Sequence, residues 1–263
     1  MADCVWLIIP TFNERANLDG IVRAAASELE AAVPGAHRIL IVDDNSPDGT
    51  GVIADALAAE LEVVEVLHRP LKAGLGQAYR AGFSRALSAG ATMVIEMDAD
   101  FSHDPRYLPV LLEAAQTADL VLGSRYVPGG AVRDWGVLRR TVSRCGGLYA
   151  RTILGVGVRD LTGGFKCIRR EVLEAIDLDT VRADGYVFQI EVTYRALIAG
   201  FKVREVPIVF VDRTAGKSKM STRIALEAMW VVPAIRRGPA AALSKQSATA
   251  GNETQQRQST PSQ

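Results

Sequence analysis

The sequence predicts an α/β fold with a mostly parallel, twisted sheet flanked by helices. Three observations predict it. Short, nearly continuous apolar runs alternate with stretches of helical periodicity, the pattern of strands separated by crossover helices. The runs are apolar on both faces, as strands covered from both sides must be. Apolar residues make up 48% of 263, enough for a substantial core without staples.

Val5-Trp6-Leu7-Ile8-Ile9 reads as the first buried strand, bounded by Pro10. Leu18 to Leu29 has helical spacing, and Ile39-Leu40-Ile41-Val42 is a second strand ending in Asp43-Asp44-Asn45-Ser46-Pro47-Asp48-Gly49. A helix is expected from Thr50 to about Leu61, a strand over Val63–Leu67 and a helix over Gln77–Ala89. Thr92–Met97 is a fourth strand, running directly into Asp98-Ala99-Asp100. After Leu120-Val121-Leu122 the pattern loosens through Gly129-Gly130, then becomes helical from Leu138 to about Leu154. Leu161–Lys166 reads as a loop or short strand, Val203–Val211 contains a further strand, and Thr222–Val232 is an amphipathic helix. From about residue 238 the composition shifts to Ala, Ser, Gln, Thr and Pro, which predicts a disordered tail over 238–263 behind one domain spanning 1–237.

Three cysteines, Cys4, Cys145 and Cys167, are odd in number and scattered, which argues for a reducing compartment and against a disulfide framework or a zinc site. The stretch after Met1-Ala2-Asp3 lacks a basic region and breaks at Pro10, so no secretory signal is expected. No apolar run reaches the ~20 residues that span a bilayer. Membrane association is therefore expected to be peripheral, on the cytoplasmic side, or through a membrane-embedded partner. Net charge is zero, with 30 basic and 30 acidic residues, yet Val121–Arg170 carries ten basic residues against Asp134 and Asp160, a local net charge of +8. That block points to an anionic partner at one place. On a helix over Leu138–Leu154, Arg140, Arg144 and Arg151 share one side, while Leu138, Val142, Cys145 and Tyr149 form a separate stripe. A basic face of this kind suits an anionic membrane surface.

Ligands of parallel sheets gather beyond the carboxyl ends of the strands. Those ends here carry Pro10-Thr11-Phe12-Asn13-Glu14, Asp43-Asp44 and Asp98-Ala99-Asp100. Acids from three strand ends repel one another unless a cation or a hydroxyl-rich ligand sits among them. At a strand-to-loop bend, Asp98 and Asp100 can reach one hard divalent ion, Mg²⁺ or Mn²⁺, which takes a few carboxylates plus substrate phosphates. Such an ion neutralises a diphosphate leaving group. Asp44 and Glu14 can accept hydrogen bonds from ribose hydroxyls and base N–H groups; the competing reading of this cluster is N-capping of the following helix by Asn45 or Ser46. Gly74-Leu75-Gly76 does not meet the dinucleotide fingerprint, because its third glycine is displaced and the loop 68–73 precedes it. The basic loop from Arg213 to Lys219 has donors able to close over phosphates.

Taken in order, Ile8–Glu14, Ile41–Thr50, Met97–His103, Gly123-Ser124-Arg125-Tyr126 and Asp160–Lys166 resemble the successive signatures of the family 2 glycosyltransferases of GT-A fold, and within them the dolichyl- or polyprenyl-phosphate mannose synthases. The resemblance runs from about Val5 to Lys219. It implies an inverting transfer of mannose from GDP-mannose to a polyprenyl phosphate. It also implies that Pro10, Phe12, Glu14, Val42 and Asp44 line the guanosine site, and that Asp98, Ala99 and Asp100 bind the metal and the donor diphosphate. Arg125 and Arg139 would hold the acceptor phosphate, and Arg213 and Lys219 would clamp the donor. The catalytic set implied is Asp98, Asp100 and Arg125. The chain departs from some relatives at Phe12, where they carry Tyr, and at Ser102, where they carry Gln, and it lacks their spanning helices. Competing readings are transfer of glucose or another sugar to a lipid phosphate, and a non-catalytic nucleotide-binding module. Nucleic acid is not expected as a partner, because the basic segment interleaves few aromatics beyond Trp135 and Tyr149.

Overall fold

The computed structural model describes residues 4–181, 185–212 and 222–238. In chain order its main elements are β1 (Val5–Thr11), α1 (Leu18–Ala32), β2 (His37–Asp43), α2 (Thr50–Glu60), β3 (Val64–His68), α3 (Leu75–Ser88) and β4 (Met93–Glu96). There follow α4 (Leu108–Ala115), β5 (Leu120–Ser124), β6 (Ala131–Arg133), α5 (Val137–Leu154), β7 (Lys166–Arg169) and α6 (Arg170–Ala175). The last are α7 (Gly185–Ile198), β8 (Val203–Pro207), β9 (Val209–Val211) and α8 (Thr222–Arg237).

Seven strands form one sheet in the order β3-β2-β1-β4-β7-β5-β8, and β6 pairs with β9 in a small second sheet. Pairing is parallel from β3 through β4 and again between β5 and β8. β7 enters between β4 and β5 and is antiparallel to both, so the sheet is mostly parallel. The pleat sends alternate β1 residues to opposite faces. Trp6 and Ile8 pack with Tyr79, Phe83 and Phe188 under α3 and α7. Val5, Leu7 and Ile9 pack on the opposite face with α1 and α4.

β1 continues through Pro10, where the sequence alone suggested it would stop. β4 pairs with β1 only as far as Ile8, so the proline falls where β1 is bonded on one side and its missing N–H disrupts less of the ladder. The C-terminal helix likewise runs past Pro233 to Arg237. The expected tail over 238–263 lies outside the described residues apart from Gly238. α4, α6 and α7 were not legible from periodicity. α7 is buried around most of its circumference, with Gln189, Glu191, Thr193 and Arg195 buried among Val187, Phe188, Ile190, Val192 and Ala196, so it offers no single apolar stripe.

α3 crosses β1 closely because Gly82 has no side chain: a Cβ there would lie 2.5 Å from Ile8 Cγ2 and 3.3 Å from Val42 Cγ2. Gly82→Ala should therefore lower stability by about 1–3 kcal/mol through overpacking. Gly146→Ala, on α5 with nothing within 4 Å of its Cβ, should be neutral or stabilising. Urea midpoints of the two variants check the contrast, and equal midpoints would contradict the close crossing.

Candidate active site

Along β2 the pleat decides which residues reach the site. Val42 is wholly buried beneath α3, so of the residues expected at a donor site it alone among those described is in the core, not the cleft. Asp43 is committed to the loop that follows: its carboxylate accepts from Thr11 Oγ1 at 3.1 Å, Ser46 N at 3.1 Å and Ser46 Oγ at 2.6 Å. Asp44, the next residue, turns into the cleft and is held by Arg69 Nη1 at 2.6 Å. Burial raises the Asp44 carboxyl above its ordinary value, with Arg69 opposing. The adjacent acids thus divide the work of bracing and of facing a ligand.

The end of β4 is shaped by a tight turn. Asp98 N donates to His103 Nδ1 at 3.1 Å, and Ser102 N donates to an Asp100 carboxylate oxygen at 3.1 Å. Between them Phe101 takes φ 61°, a left-handed conformation that a bulky side chain adopts only when its surroundings impose it. In this bend Asp98, Ala99 and Asp100 all line one cleft, where a straight strand would have turned Ala99 to the face opposite the two acids. His103 is buried, stacked on Phe165 at 4.9 Å, and burial keeps its pKa below the ordinary value against the pull of Asp98 and Asp100.

The cleft has a volume of about 390 Å³ and brings Pro10, Phe12, Glu14 and Asp44 to the same hollow as Asp98, Ala99 and Asp100. Lys72 lies 3.8 Å from the centre of the Phe12 ring at its mouth. Tyr186 and Gln189 from α7 complete the wall, a contribution with no sequence signal because α7 itself was not legible. Behind the wall Lys166 Nζ donates to Gln189 O at 2.9 Å and to Gln189 Oε1. Glu96 lies opposite Lys166 in the β4–β7 register, fully buried.

Beside the cleft is a smaller hollow lined by Asp98, His103, Arg125, Trp135, Arg139 and Phe210 among others, so Asp98 belongs to both. Arg125 is gripped by Asp160: Nε donates at 2.7 Å, Nη2 at 2.6 Å, and its backbone N–H at 2.9 Å, with Thr162 Oγ1 2.8 Å from Nη2. Burial alone would push the Asp160 carboxyl up, but the charge and hydrogen bonds of Arg125 outweigh it and hold it below the ordinary value. Arg139 Nη1 reaches both oxygens of Asp212, at 2.8 and 2.7 Å, and its guanidinium lies 4.1 Å from the Trp135 ring centre. Its Nε is buried with no hydrogen-bond partner. The two arginines expected to share a role are therefore neighbours. Arg213 and Lys219 lie outside the described residues.

Asp98 and Asp100 suit a hard divalent cation: they are oxygen donors in one cleft, and the adjoining Ser102 Oγ is buried with no hydrogen-bond partner. Among the described residues no group of three or more His, Cys, Asp or Glu side chains could hold a metal by itself.

The model of the family described as glycosyl transferase family 2 matches residues 6–177. The chain belongs to that family. It is 52% identical over 228 residues to the polyprenol monophosphomannose synthase of Mycolicibacterium smegmatis, covering 86% of this chain and 84% of the relative. It is 49% identical over 225 residues to the undecaprenyl-phosphate mannosyltransferase of Micrococcus luteus, covering 86% and 90%. Among solved structures it is similar in fold to glucosyl-3-phosphoglycerate synthase of Mycobacterium tuberculosis. That structure is described as a complex with Mn²⁺, UDP-glucose and phosphoglyceric acid; its TM-score is 0.64 at 17% identity, covering 89% of this chain and 80% of the other.

The Arg125–Asp160 pair has a measurable signature. Asp160→Asn leaves a buried guanidinium without its anion, and a loss of about 3–5 kcal/mol at neutral pH is expected. Because the folded pKa of Asp160 is depressed, its contribution is present above the ordinary carboxylate range and fades as pH falls through the folded value. Denaturation curves of the two proteins should therefore converge in acid. A gap that stayed constant from pH 7 to pH 3 would show that the pair does not titrate as described.

Proposed function

We propose that the protein is an inverting, metal-dependent glycosyltransferase that moves mannose from GDP-mannose onto a polyprenyl phosphate at a membrane surface. The observation that carries this reading is the meeting, at Asp98, of an acid-lined cleft with an arginine-lined hollow. A nucleotide sugar and a phosphate acceptor need such adjoining sites of opposite character. The names of the two half-identical relatives support a mannosyl donor and a polyprenyl-phosphate acceptor.

In this reading Phe12, Glu14 and Asp44, with Pro10 beside them, hold the nucleoside. Arg213 and Lys219 would close over its phosphates. Asp98 and Asp100 would hold Mg²⁺ or Mn²⁺, which supplies countercharge for the departing diphosphate. A phosphate monoester is already anionic near neutrality, its second pKa being about 6, so the acceptor needs positioning and desolvation in place of a strong base. With Nε and Nη2 of Arg125 taken by Asp160 and Thr162, its Nη1 edge is left to meet the acceptor phosphate. The partnerless Nε of Arg139, which lines the same hollow, offers a second donor. An acceptor oxygen held there attacks the anomeric carbon opposite the leaving diphosphate, and configuration inverts in one step.

Membrane contact follows from α5 and α8. Among the described residues no helix is long and apolar enough to cross a membrane. Yet Val137, Leu138 and Leu148 on α5 are 82%, 78% and 59% exposed, and Trp230 on α8 is 81% exposed. Of the apolar stripe Leu138, Val142, Cys145 and Tyr149, the first three face outward and Tyr149 packs half-buried against the core, while Arg144 beside them is exposed as well. We assign this outward face to the lipid interface of a peripherally bound enzyme, on the cytoplasmic side.

Asp100→Ala should abolish transfer from labelled GDP-mannose to a prenyl phosphate while circular dichroism stays native; near-normal turnover would refute the assignment. Chelation should stop the reaction, and Mg²⁺ or Mn²⁺ should restore it. Arg139→Ala should raise the acceptor KM at least tenfold, about 1.4 kcal/mol, with little change in the donor KM. An unchanged acceptor dependence would place the phosphate elsewhere. Parallel assays with UDP-glucose decide between the mannosyl and glucosyl readings.

A further inference from the structure

Next to the small hollow, and sharing the Arg125 side chain with it, lies an open groove of about 660 Å³. Its walls are Tyr126, the turn Val127–Gly130, and the α5 edge carrying Arg144, Leu148 and Arg151, with Arg159 closing the far end. Nothing in the reaction proposed above uses Arg144, Arg151 or Arg159.

The charge of this groove is uncompensated. No acid lines it, and among the described residues none of these three arginines forms an ion pair. Nearby acids are turned to other work. Asp160 is spent on Arg125, and the Glu205 carboxylate accepts the backbone N–H groups of Arg159 at 2.8 Å and Asp160 at 2.9 Å. Arg151 Nε is buried without a hydrogen-bond partner. A donor left in that state costs free energy unless a ligand supplies an acceptor.

The groove is also built with some care. Tyr126 is tied to α5 through its hydroxyl and Ser143 Oγ at 2.6 Å, and its ring lies 5.3 Å from the Arg125 guanidinium and 6.0 Å from that of Arg144. The turn closes with Gly130 N donating to Val127 O at 2.9 Å. A Cβ on Gly130 would lie 2.5 Å from Ser124 O, so only glycine lets this wall approach the strand end.

Around α5, Arg140, Arg144 and Arg151 fall on one border of the exposed apolar arc of Val137, Leu138, Val142 and Leu148. A helix lying in a membrane interface places arginines in this way, at the level of the lipid phosphates, with its apolar side chains below them. Leu148 belongs to both the arc and the groove.

We infer that the groove formed by Arg144, Arg151 and Arg159 binds the phosphate of an anionic membrane phospholipid as a docking site separate from the acceptor site. The inference rests on the membrane-surface part of the proposed function, but not on its donor or acceptor. Three arginines without carboxylate partners match a phosphodiester, and the exposed apolar border matches the acyl chains attached to it.

Sedimentation of the full chain with vesicles tests it. Wild type should bind vesicles of phosphatidylcholine containing about 20% phosphatidylglycerol, and bind pure phosphatidylcholine at least tenfold more weakly. Arg144→Ala/Arg151→Ala/Arg159→Ala should remove that preference. A control of equal charge loss away from the groove, Arg106→Ala/Lys202→Ala/Arg204→Ala, should change binding less than about threefold. The double variant Arg144→Ala/Arg159→Ala, confined to exposed side chains, repeats the test if the triple variant is unstable. Transfer to a short, water-soluble prenyl phosphate should be unaffected in the groove variants.

Equal losses in the groove and control variants would reduce the effect to general electrostatics and overturn the inference. So would groove variants that lose the soluble acceptor reaction while keeping vesicle binding, because the groove would then serve the acceptor. Tight calorimetric binding of inorganic phosphate without any vesicle preference would assign the site to a free anion instead. If wild type bound neither vesicle, the membrane placement itself would fail along with this inference, whereas the transfer assay would still judge the rest.

Discussion

Like charges brought to one crevice must be compensated, and this molecule is organised around that constraint. The parallel order of β3, β2, β1 and β4 delivers the carboxyl ends of neighbouring strands to one edge of the sheet, and the ends of β1, β2 and β4 carry acids. These acids, and Asp160 from the loop before β7, are each handled differently. Asp43 is absorbed by loop hydroxyls and amides, Asp44 is countered by Arg69, and Asp160 by Arg125. Asp98 and Asp100 are aimed by the turn at Phe101 into the open cleft, where a cation and a diphosphate together can balance them.

The Arg125–Asp160 pair answers a second demand, that of keeping a cation in a buried place before any substrate arrives. In the proposed reaction, a guanidinium that searched for the acceptor phosphate from a flexible start would lose rotamer freedom on binding. Here Asp160 and Thr162 have already fixed its plane. Its backbone amide is held by the same carboxylate, so the side chain and the end of β5 form one rigid unit. His103 sits between this unit and the acid turn, stacked on Phe165 and accepting from Asp98 N–H, which couples the two halves of the site mechanically.

Helix α5 illustrates how an amphipathic pattern can be read in two orientations. Its periodicity separates arginines from apolar residues, but periodicity has no sign: it does not say which stripe meets the protein. In the fold, Gly147, Ala150 and Leu154 are the buried residues, the arginines border the groove, and Val137, Leu138 and Leu148 face outward. The small residues Gly147 and Ala150 give the reason. They let α5 pack closely, while the long apolar residues have no facing wall to fill.

Much of the outline was legible in the sequence because it depends on local pattern. Buried strands are continuous apolar runs, crossover helices have their own period, and acids at strand ends stand out against those runs. Hence the sheet, Asp98 and Asp100, Asp44 and the arginine-rich segment could be read directly. What tertiary structure decided is whatever depends on the direction of a side chain or on a partner distant in sequence. It buried Val42 under α3, gave Asp160 to Arg125 across 35 residues, and brought Tyr186 and Gln189 to the cleft on a helix without a stripe. The physical reason is the same throughout: hydrophobic periodicity records that a face is covered, whereas charge pairing and helix orientation are settled only when separate elements meet in space.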